Sequence, residues 1–395
     1  MMSWVSSLLQ IRTLDLFHVT ILTIVTDSMP ASNLYRKHRN TPWENEMNLS
    51  SKPFSEINLQ DNFFDSLRAD YHPGFDNWFL KKSNAKEEAL VFHSDAGEVI
   101  GFLYTKVEVG ILDSVSPALN DARRLKIGTM KILPHGTRLG ERFIKKAIDK
   151  ALLEAVTEIY VTVYPKHEAL INLFQKYGFV HQAMKGGEQV WVKEMLPRYK
   201  SITENYPFIN LANQRCYMLS IYPTFHTRLF PDSKLLTESP NIIEDVSHSN
   251  SIHKIYLAGM AGLEELRKGD VLMIYRTSDK QGPAKYRSVA TSLCVMEEYR
   301  NINSFASEAD FLTYCRVYSV FTESELRKFW SHKKYPNILK FTYNISLNKR
   351  PNRELLLSEG IIEEGYAGFQ EMNAGKILRL AQVGNINASI IFNTP

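Results

Sequence analysis

Residues 131–155 read KILPHGTRLGERFIKKAIDKALLEA and have the make-up of an anion site. An extended segment, 124–133, meets a Pro-His-Gly turn at 134–136 and continues as an amphipathic helix. The start of a helix carries unsatisfied N–H groups and a partial positive charge, so phosphate binds there readily. Gly136 and Gly140 allow close approach of the backbone. The pattern predicts a phosphate site, or alternatively a strand–turn–helix unit whose loop binds nothing.

The surrounding elements follow a regular order. Two helices are predicted at 58–71 and 75–84, and a hairpin at 89–109 turns on Asp95-Ala96-Gly97. After the anion-site helix, whose apolar face begins at Leu139, come a buried strand at 158–164 and a helix at 167–179 that ends at Gly178. A last hairpin turns at Gly186-Gly187.

This order, together with the motif HEALINLFQKYGF at 167–179, resembles the GNAT superfamily of acyl-CoA-dependent N-acetyltransferases over roughly residues 50–197. In that family a loop of pattern Arg/Gln-x-x-Gly-x-Gly/Ala holds the pyrophosphate of coenzyme A at the next helix. His135 stands at its first position, Arg138 at its first glycine and Gly140 at its second, so two positions, 135 and 138, depart from the pattern. The Arg138 side chain narrows the approach to the phosphates or forms an ion pair with them.

The resemblance implies that acetyl-CoA is the co-substrate and that the coenzyme contacts lie on the loop and on the two helices that follow it. The residues so implied are Ile132, Leu133, His135, Gly136, Thr137, Arg138, Leu139, Gly140, Glu141, His167 and Phe174.

Acetyl transfer to an amine needs a neutral amine, stabilisation of an oxyanion and often an acid for the departing thiolate. The family's usual acid is a tyrosine at the position of Phe174, which has no proton to donate. Tyr164 and Tyr177 are the catalytic candidates; each could instead be a packing residue, and a thiolate can also leave without an acid. For a general base the sequence offers five side chains and distinguishes none of them: His72, Glu108, Asp113, Asp121 and Glu141.

The second half reads as short strands at 252–259, 269–279, 286–299 and 337–347. This pattern resembles PUA-like domains of the EVE or ASCH type, compact barrels that hold RNA or a modified base. The predicted fold class is therefore α/β (α+β), a GNAT mixed sheet flanked by helices and followed by a small PUA-like β-barrel. The predicted divisions are a poorly ordered extension (1–47), the GNAT domain (48–198), a connecting region (199–250) and the PUA-like domain (251–395).

Basic residues outnumber acidic ones between 321 and 355, and aromatic residues lie among them. Cations beside aromatic rings suit phosphate contacts and base stacking, so Lys333, Lys334, Lys349 and Arg350 are predicted to bind RNA, such as tRNA, or another nucleic acid. The alternative is a solvated helix and loop whose aromatic rings fill a barrel core.

Composition constrains the remaining possibilities. The net charge of +4 over 395 residues permits nucleic-acid partners without requiring them. Cys216, Cys294 and Cys315 are far apart and lack metal-ligand spacing, which predicts no disulfide framework, no metal and a reducing compartment, the cytoplasm. The apolar run 14–26 is too short to span a bilayer.

Three functions fit these observations. The first is an acetyltransferase acting on an RNA-linked amine, either a base or an aminoacyl-tRNA, that the second half presents. The second is an acetyltransferase for proteins or small amines. The third is a non-catalytic nucleic-acid-binding regulator or defence protein whose GNAT domain senses acyl-CoA.

Overall fold

Residues 49–94, 96–133, 138–198, 201–231, 251–365 and 368–393 are described by the computed structural model. They form two mixed sheets flanked by helices, one in each half of the chain. The α/β class predicted from the sequence is confirmed.

The first sheet has seven strands in the order β1-β2-β3-β4-β5-β7-β6, and only β4 and β5 run parallel. Its strands are β1 Leu49–Pro53, β2 Glu88–His93, β3 Val99–Leu112, β4 Leu119–Ile132, β5 Glu158–Val163, β6 Val180–Lys185 and β7 Glu188–Glu194. Its helices are α1 Asp65–Asp70, α2 Phe75–Asn84, α3 Leu139–Leu153 and α4 Glu168–Lys176.

The predicted order of elements in this half is confirmed, with two differences. The strand β1 was not predicted; it pairs with β2 at the edge of the sheet. The first helix is shorter than predicted, because the Asp61 side chain accepts a hydrogen bond from the Phe63 amide and caps a 3-10 turn at Asn62–Phe64 before α1 begins.

The second sheet has six strands in the order β10-β13-β12-β11-β9-β14. The second half also has a two-stranded ladder of β8 with β15. Its strands are β8 Ile209–Asn210, β9 Cys216–Ile221, β10 His253–Ala258, β11 Val271–Arg276, β12 Val289–Asn301, β13 Asn337–Ser346, β14 Phe369–Met372 and β15 Ile391–Phe392. Its helices are α5 Ile202–Asn205, α6 Pro223–Leu229, α7 Ala284–Arg287, α8 Glu308–Arg316, α9 Glu323–His332, α10 Arg353–Ser358 and α11 Ala374–Val383.

Two predictions for this half are corrected. Within the described ranges the outer strands β10 and β14 do not pair with each other, so the sheet is open and the predicted closed barrel is not seen. The segment 199–250 is more than a connection, because β9 is fully buried and lies between β11 and β14. The four strands predicted after residue 251 are confirmed.

The helix α3 joins the two halves. Its apolar side packs in the core of the first sheet, where Phe143, Ile144 and Ile148 are fully buried. Its charged side is also buried, because Lys145 lies over the Tyr343 ring of β13 at 4.9 Å. Leu152 packs against a hydrophobic core formed by residues of the second half, so this one helix contributes side chains to the cores of both halves.

Candidate active site

The parallel strands β4 and β5 separate from each other within the first sheet. They pair from Arg124 opposite Glu158 to Ile127 opposite Val161, and among the described residues no pairing between them continues beyond this point. The strand β4 runs on to Ile132 and leads towards α3, whereas β5 ends at Val163. Ligands in α/β sheets bind in the crevice outside the carboxyl ends of such strands. This crevice is therefore the candidate active site.

Gly128 is the residue at which the strands separate. Tyr104 pairs with Thr129 and Thr105 with Ile127, so Gly128 is an extra residue on β4, a β-bulge that bends the strand. A Cβ atom at this position would stand 2.7 Å from Cδ1 of the buried Tyr104 ring. Glycine is therefore required by close packing, and the bulge opens one side of β4.

The predicted coenzyme loop is only partly described. His135, Gly136 and Thr137 lie outside the described residues. Ile132 and Leu133 are half-buried at the end of β4, next to the crevice. Arg138 immediately precedes α3, and its guanidinium lies 4.9 Å from the ring centroid of Tyr318, a residue of the second half.

Two of the predicted coenzyme residues, Leu139 and Phe174, lie in the interior, and Gly140 is half-buried. Leu139 is buried against Gly101 and belongs to the core of the first sheet. Phe174 is completely buried and packs on Phe179, so its ring does not line the crevice in this structure. A Cβ at Gly140 would stand 2.9 Å from Cδ2 of Leu173. Packing of α3 on α4 is thus a reason for glycine there that is independent of any phosphate.

Glu141 is also buried, but its carboxylate accepts hydrogen bonds from two side chains. The Lys176 ammonium donates to its Oε1 at 2.6 Å, and the Tyr318 hydroxyl donates to the same oxygen at 2.9 Å. Within the described part of the chain, its buried Oε2 has no hydrogen-bond partner. A carboxylate held in this way is compensated by its two partners, which argues against Glu141 as the general base.

The wall opposite α3 carries two tyrosines and a carboxylate. Tyr164 follows β5 directly, and its ring centroid lies 5.5 Å from that of Tyr71 at the end of α1. The Tyr71 hydroxyl donates to Oε1 of Glu188 at 2.7 Å, and burial with the charge of Glu188 raises the pKa of Tyr71. Tyr164 is half-buried, and the Lys166 ammonium lies 5.6 Å from its ring centroid.

A second polar group, centred on Asp70, lies beside Tyr71. Asp70 accepts hydrogen bonds from Lys166 and His167, the latter at 2.8 Å. Burial raises the pKa of Asp70, but these two hydrogen bonds outweigh it and leave the pKa below its ordinary value. His167 is thereby tied to the end of α1, and its side chain, predicted to contact the coenzyme, stays partly exposed.

Two charged residues of the first sheet, Glu108 and Lys126, contact Tyr160 of β5. The Tyr160 hydroxyl donates to Oε2 of Glu108 at 2.5 Å, and burial together with Glu108 raises the pKa of Tyr160. Lys126 lies over the Tyr160 ring, and burial lowers its pKa. Of the other base candidates, Asp113 and Asp121 lie at the opposite end of β4, away from the crevice.

Tyr177 is not placed to protonate a thiolate. It is fully buried, its hydroxyl lies 3.0 Å from Nε2 of His253 in the second half, and burial raises its pKa strongly. The sequence suggested it as a catalytic candidate; its environment makes it a contact between the halves.

The four predicted nucleic-acid-binding residues do not form one surface. Lys333 and Lys334 precede β13, whereas Lys349 and Arg350 follow it, and a ten-residue strand separates the pairs by about 30 Å. The aromatic rings among them are packed: Trp330 stacks on Phe311, and Tyr343 is buried. The alternative reading, in which these rings fill a core, describes the structure better.

Four residues of the site were missed by sequence reasoning: Asp70, Tyr71, Gly128 and Glu188. Tyr71 and Glu188 stand 117 positions apart, so no local pattern links them. Gly128 in a strand was the one available signal, because an isolated glycine inside a strand often marks a bulge.

Two general properties concern the described part of the chain alone. It contains no group of three or more histidine, cysteine or acidic residues arranged to hold a metal ion. None of its helices combines the length and the apolar character needed to cross a membrane.

Comparison with protein-family models and with curated proteins gave no match. Among solved structures, the PaiA N-acetyltransferase of Thermoplasma acidophilum in complex with coenzyme A is 13% identical, covers 38% of this chain and 99% of its own, and has a TM-score of 0.27. Arabidopsis thaliana NAA60 with a bisubstrate analogue is 15% identical, with coverages of 37% and 97% and a TM-score of 0.28.

A different solved structure is similar to a comparable share of the chain. The ASCH protein of Zymomonas mobilis is 10% identical, covers 44% of this chain and 98% of its own, and has a TM-score of 0.28. Identities and scores this low identify neither a family nor a ligand. What the site can do is therefore argued from its own geometry.

Proposed function

We propose that the chain is an acetyl-CoA-dependent N-acetyltransferase whose reaction takes place in the crevice between β4 and β5. The observation that supports this most is the separation of the two parallel strands at Gly128. It opens a cleft with the start of α3 on one wall and the hydroxyl and carboxylate groups of Tyr164 and Glu188 on the other.

The coenzyme would occupy the side of the cleft formed by β4 and α3. Its diphosphate is suited to the positive start of α3, beside Arg138. Residues 129–132 of β4 extend beyond the part paired with β5. An extended chain with amide groups, such as the pantetheine arm, can add to such a strand edge through backbone hydrogen bonds.

The acceptor amine would enter on the other side, beside Tyr71, Tyr164 and Glu188. An amine arrives mainly as an ammonium ion, which the carboxylate of Glu188 attracts and from which it accepts a proton. The neutral nitrogen attacks the thioester carbonyl and the C–S bond breaks. Tyr164 donates a proton to the departing sulfur and is reprotonated by the second proton that the nitrogen loses.

The experiment is transfer from labelled acetyl-CoA to separate pools of small amines, peptides and RNA, with the intact chain and with Glu188→Gln. We expect label in at least one pool, and a marked loss of transfer in the variant because it keeps the size of the side chain and removes its basicity. Binding of acetyl-CoA without transfer to any pool would favour the non-catalytic acyl-CoA sensor. If the chain neither binds acetyl-CoA nor transfers its acetyl group, the proposal is refuted.

A further inference from the structure

A side chain of the second half, Tyr318, contacts the start of α3. Tyr318 lies between α8 and α9 and is 8% exposed. Its hydroxyl donates to Oε1 of Glu141 at 2.9 Å, and its ring lies 4.9 Å from the guanidinium of Arg138. Tyr318 therefore contacts the residue just before the helix and a residue in its first turn.

The carboxylate held in this way is a potential competitor for the phosphate. Glu141 is 5% exposed, and its charge stands in the first turn, where the helix dipole favours any anion, an internal carboxylate included. Among the described residues, Glu141 accepts hydrogen bonds from Lys176 and Tyr318, and both go to Oε1. Of these two partners, Lys176 alone would hold the carboxylate without the Tyr318 hydroxyl, and the charge could turn towards the helix start.

A second contact keeps Tyr318 in place. His253 of β10 lies between Tyr177, which directly follows α4, and Glu297 of β12, with its ring nitrogens 3.0 Å from the Tyr177 hydroxyl and 2.7 Å from Oε2 of Glu297. The rings of His253 and Tyr318 are 5.0 Å apart. The chain of contacts thus runs from the end of α4 through the second half and back to α3.

We propose that Tyr318 is a positioning residue of the coenzyme site, so that the second half completes the place where the first half binds the diphosphate of acetyl-CoA. This inference rests on the proposed function. Tyr318 acts through Glu141 and Arg138: it restrains the carboxylate and fixes the guanidinium beside the helix start, which leaves the helix dipole to the phosphates.

The test is calorimetric titration of the full chain with acetyl-CoA. Tyr318→Phe keeps the ring and removes the hydroxyl, and we expect it to weaken binding by about tenfold, the scale of a hydrogen bond to a charged group. Tyr314→Phe is the matched control, because that hydroxyl donates to Glu298 at 2.8 Å within the second half. The control should bind as the unsubstituted chain does.

A rescue separates positioning from general stability. If Tyr318 acts by restraining the Glu141 charge, then Glu141→Gln added to Tyr318→Phe should restore affinity to that of Glu141→Gln alone. Normal binding by Tyr318→Phe, an equal loss in Tyr314→Phe, or failure of the rescue would overturn the inference and leave the proposed function intact. Absence of acetyl-CoA binding by the unsubstituted chain would overturn both.

Discussion

Tyr164 is the residue on which the proposed chemistry depends most. It stands directly after β5, at the mouth of the crevice, and its ring contacts Tyr71 while the backbone of Gly187 lies close to its edge. Phe174 occupies the position at which the resembled family has its acid, but it lies in the core. A hydroxyl there would be buried, so the proposed mechanism takes its acid from another element, and Tyr164 is the residue that we propose for this role.

We predict that Tyr164→Phe lowers kcat by about 10²-fold and leaves the KM for acetyl-CoA nearly unchanged, because the lost proton donor acts only as the C–S bond breaks. Steady-state kinetics would measure both constants. Tyr299→Phe is a suitable control, since its hydroxyl donates to Asn337 in the second half. Equal kcat values for Tyr164→Phe and the unsubstituted chain would exclude Tyr164 as the acid.

At the scale of elements, the bulge in β4 shapes the crevice. The bulge depends on Gly128, because a side chain there would meet the ring of Tyr104, which is held by a 2.6 Å hydrogen bond to Glu87. The ring cannot swing aside without breaking that bond. The bulge at which β4 separates from β5 therefore depends on the packing and the hydrogen bond of the Tyr104 ring of β3.

We predict that Gly128→Ala lowers the free energy of unfolding by about 1–3 kcal/mol, the usual cost of overpacking. Urea denaturation would measure this loss. Gly187→Ala serves as the comparison, because its added Cβ would stand at an ordinary 3.6 Å from the Tyr164 ring. Equal stability of the two variants would show that the bulge tolerates a side chain.

The ion-paired group at Asp70 should give a pH-dependent contribution to stability. Its pKa in the folded chain lies below the ordinary 3.8, so its contacts with Lys166 and His167 stabilise the fold above that pH and are lost as the pH falls through the folded value. We predict that Asp70→Asn destabilises the chain at pH 7 and that its difference from the unsubstituted chain shrinks near pH 3. Unfolding at both pH values tests this, with the exposed Asp113→Asn as control; a difference that stays constant would contradict it.

The sequence predicted elements more successfully than it predicted contacts. Strands and helices of the first half follow local periodicity, and the α3 start was found from its turn and glycines. Sequence reasoning missed the strand β9, because a short apolar run is equally compatible with a buried irregular segment and with a buried strand. The pairing of Tyr71 with Glu188 and of Glu141 with Tyr318 depends on how distant segments meet, which periodicity does not encode.

At the scale of the whole molecule, the two halves share their interior. Ile252 completes the first core, and the Tyr206 hydroxyl donates to the Tyr343 carbonyl of the second sheet. The charged face of α3 is buried against the second half rather than exposed to solvent. The helix start proposed to bind the coenzyme is therefore held from both sides.

The most direct test of the central claim, that acetyl-CoA binds at the start of α3, is calorimetric titration of the full chain and two variants at Gly140. We predict one site per chain, weakened at least about tenfold by Gly140→Asp, because an added carboxylate occupies the anion position while still suiting the first turn of a helix. Gly140→Ala controls for bulk, since its Cβ would meet two flexible side-chain ends, Cδ2 of Leu173 at 2.9 Å and Cδ1 of Ile132 at 3.6 Å, and it should bind nearly normally. No binding by the unsubstituted chain, or equal binding by Gly140→Asp, would contradict the claim.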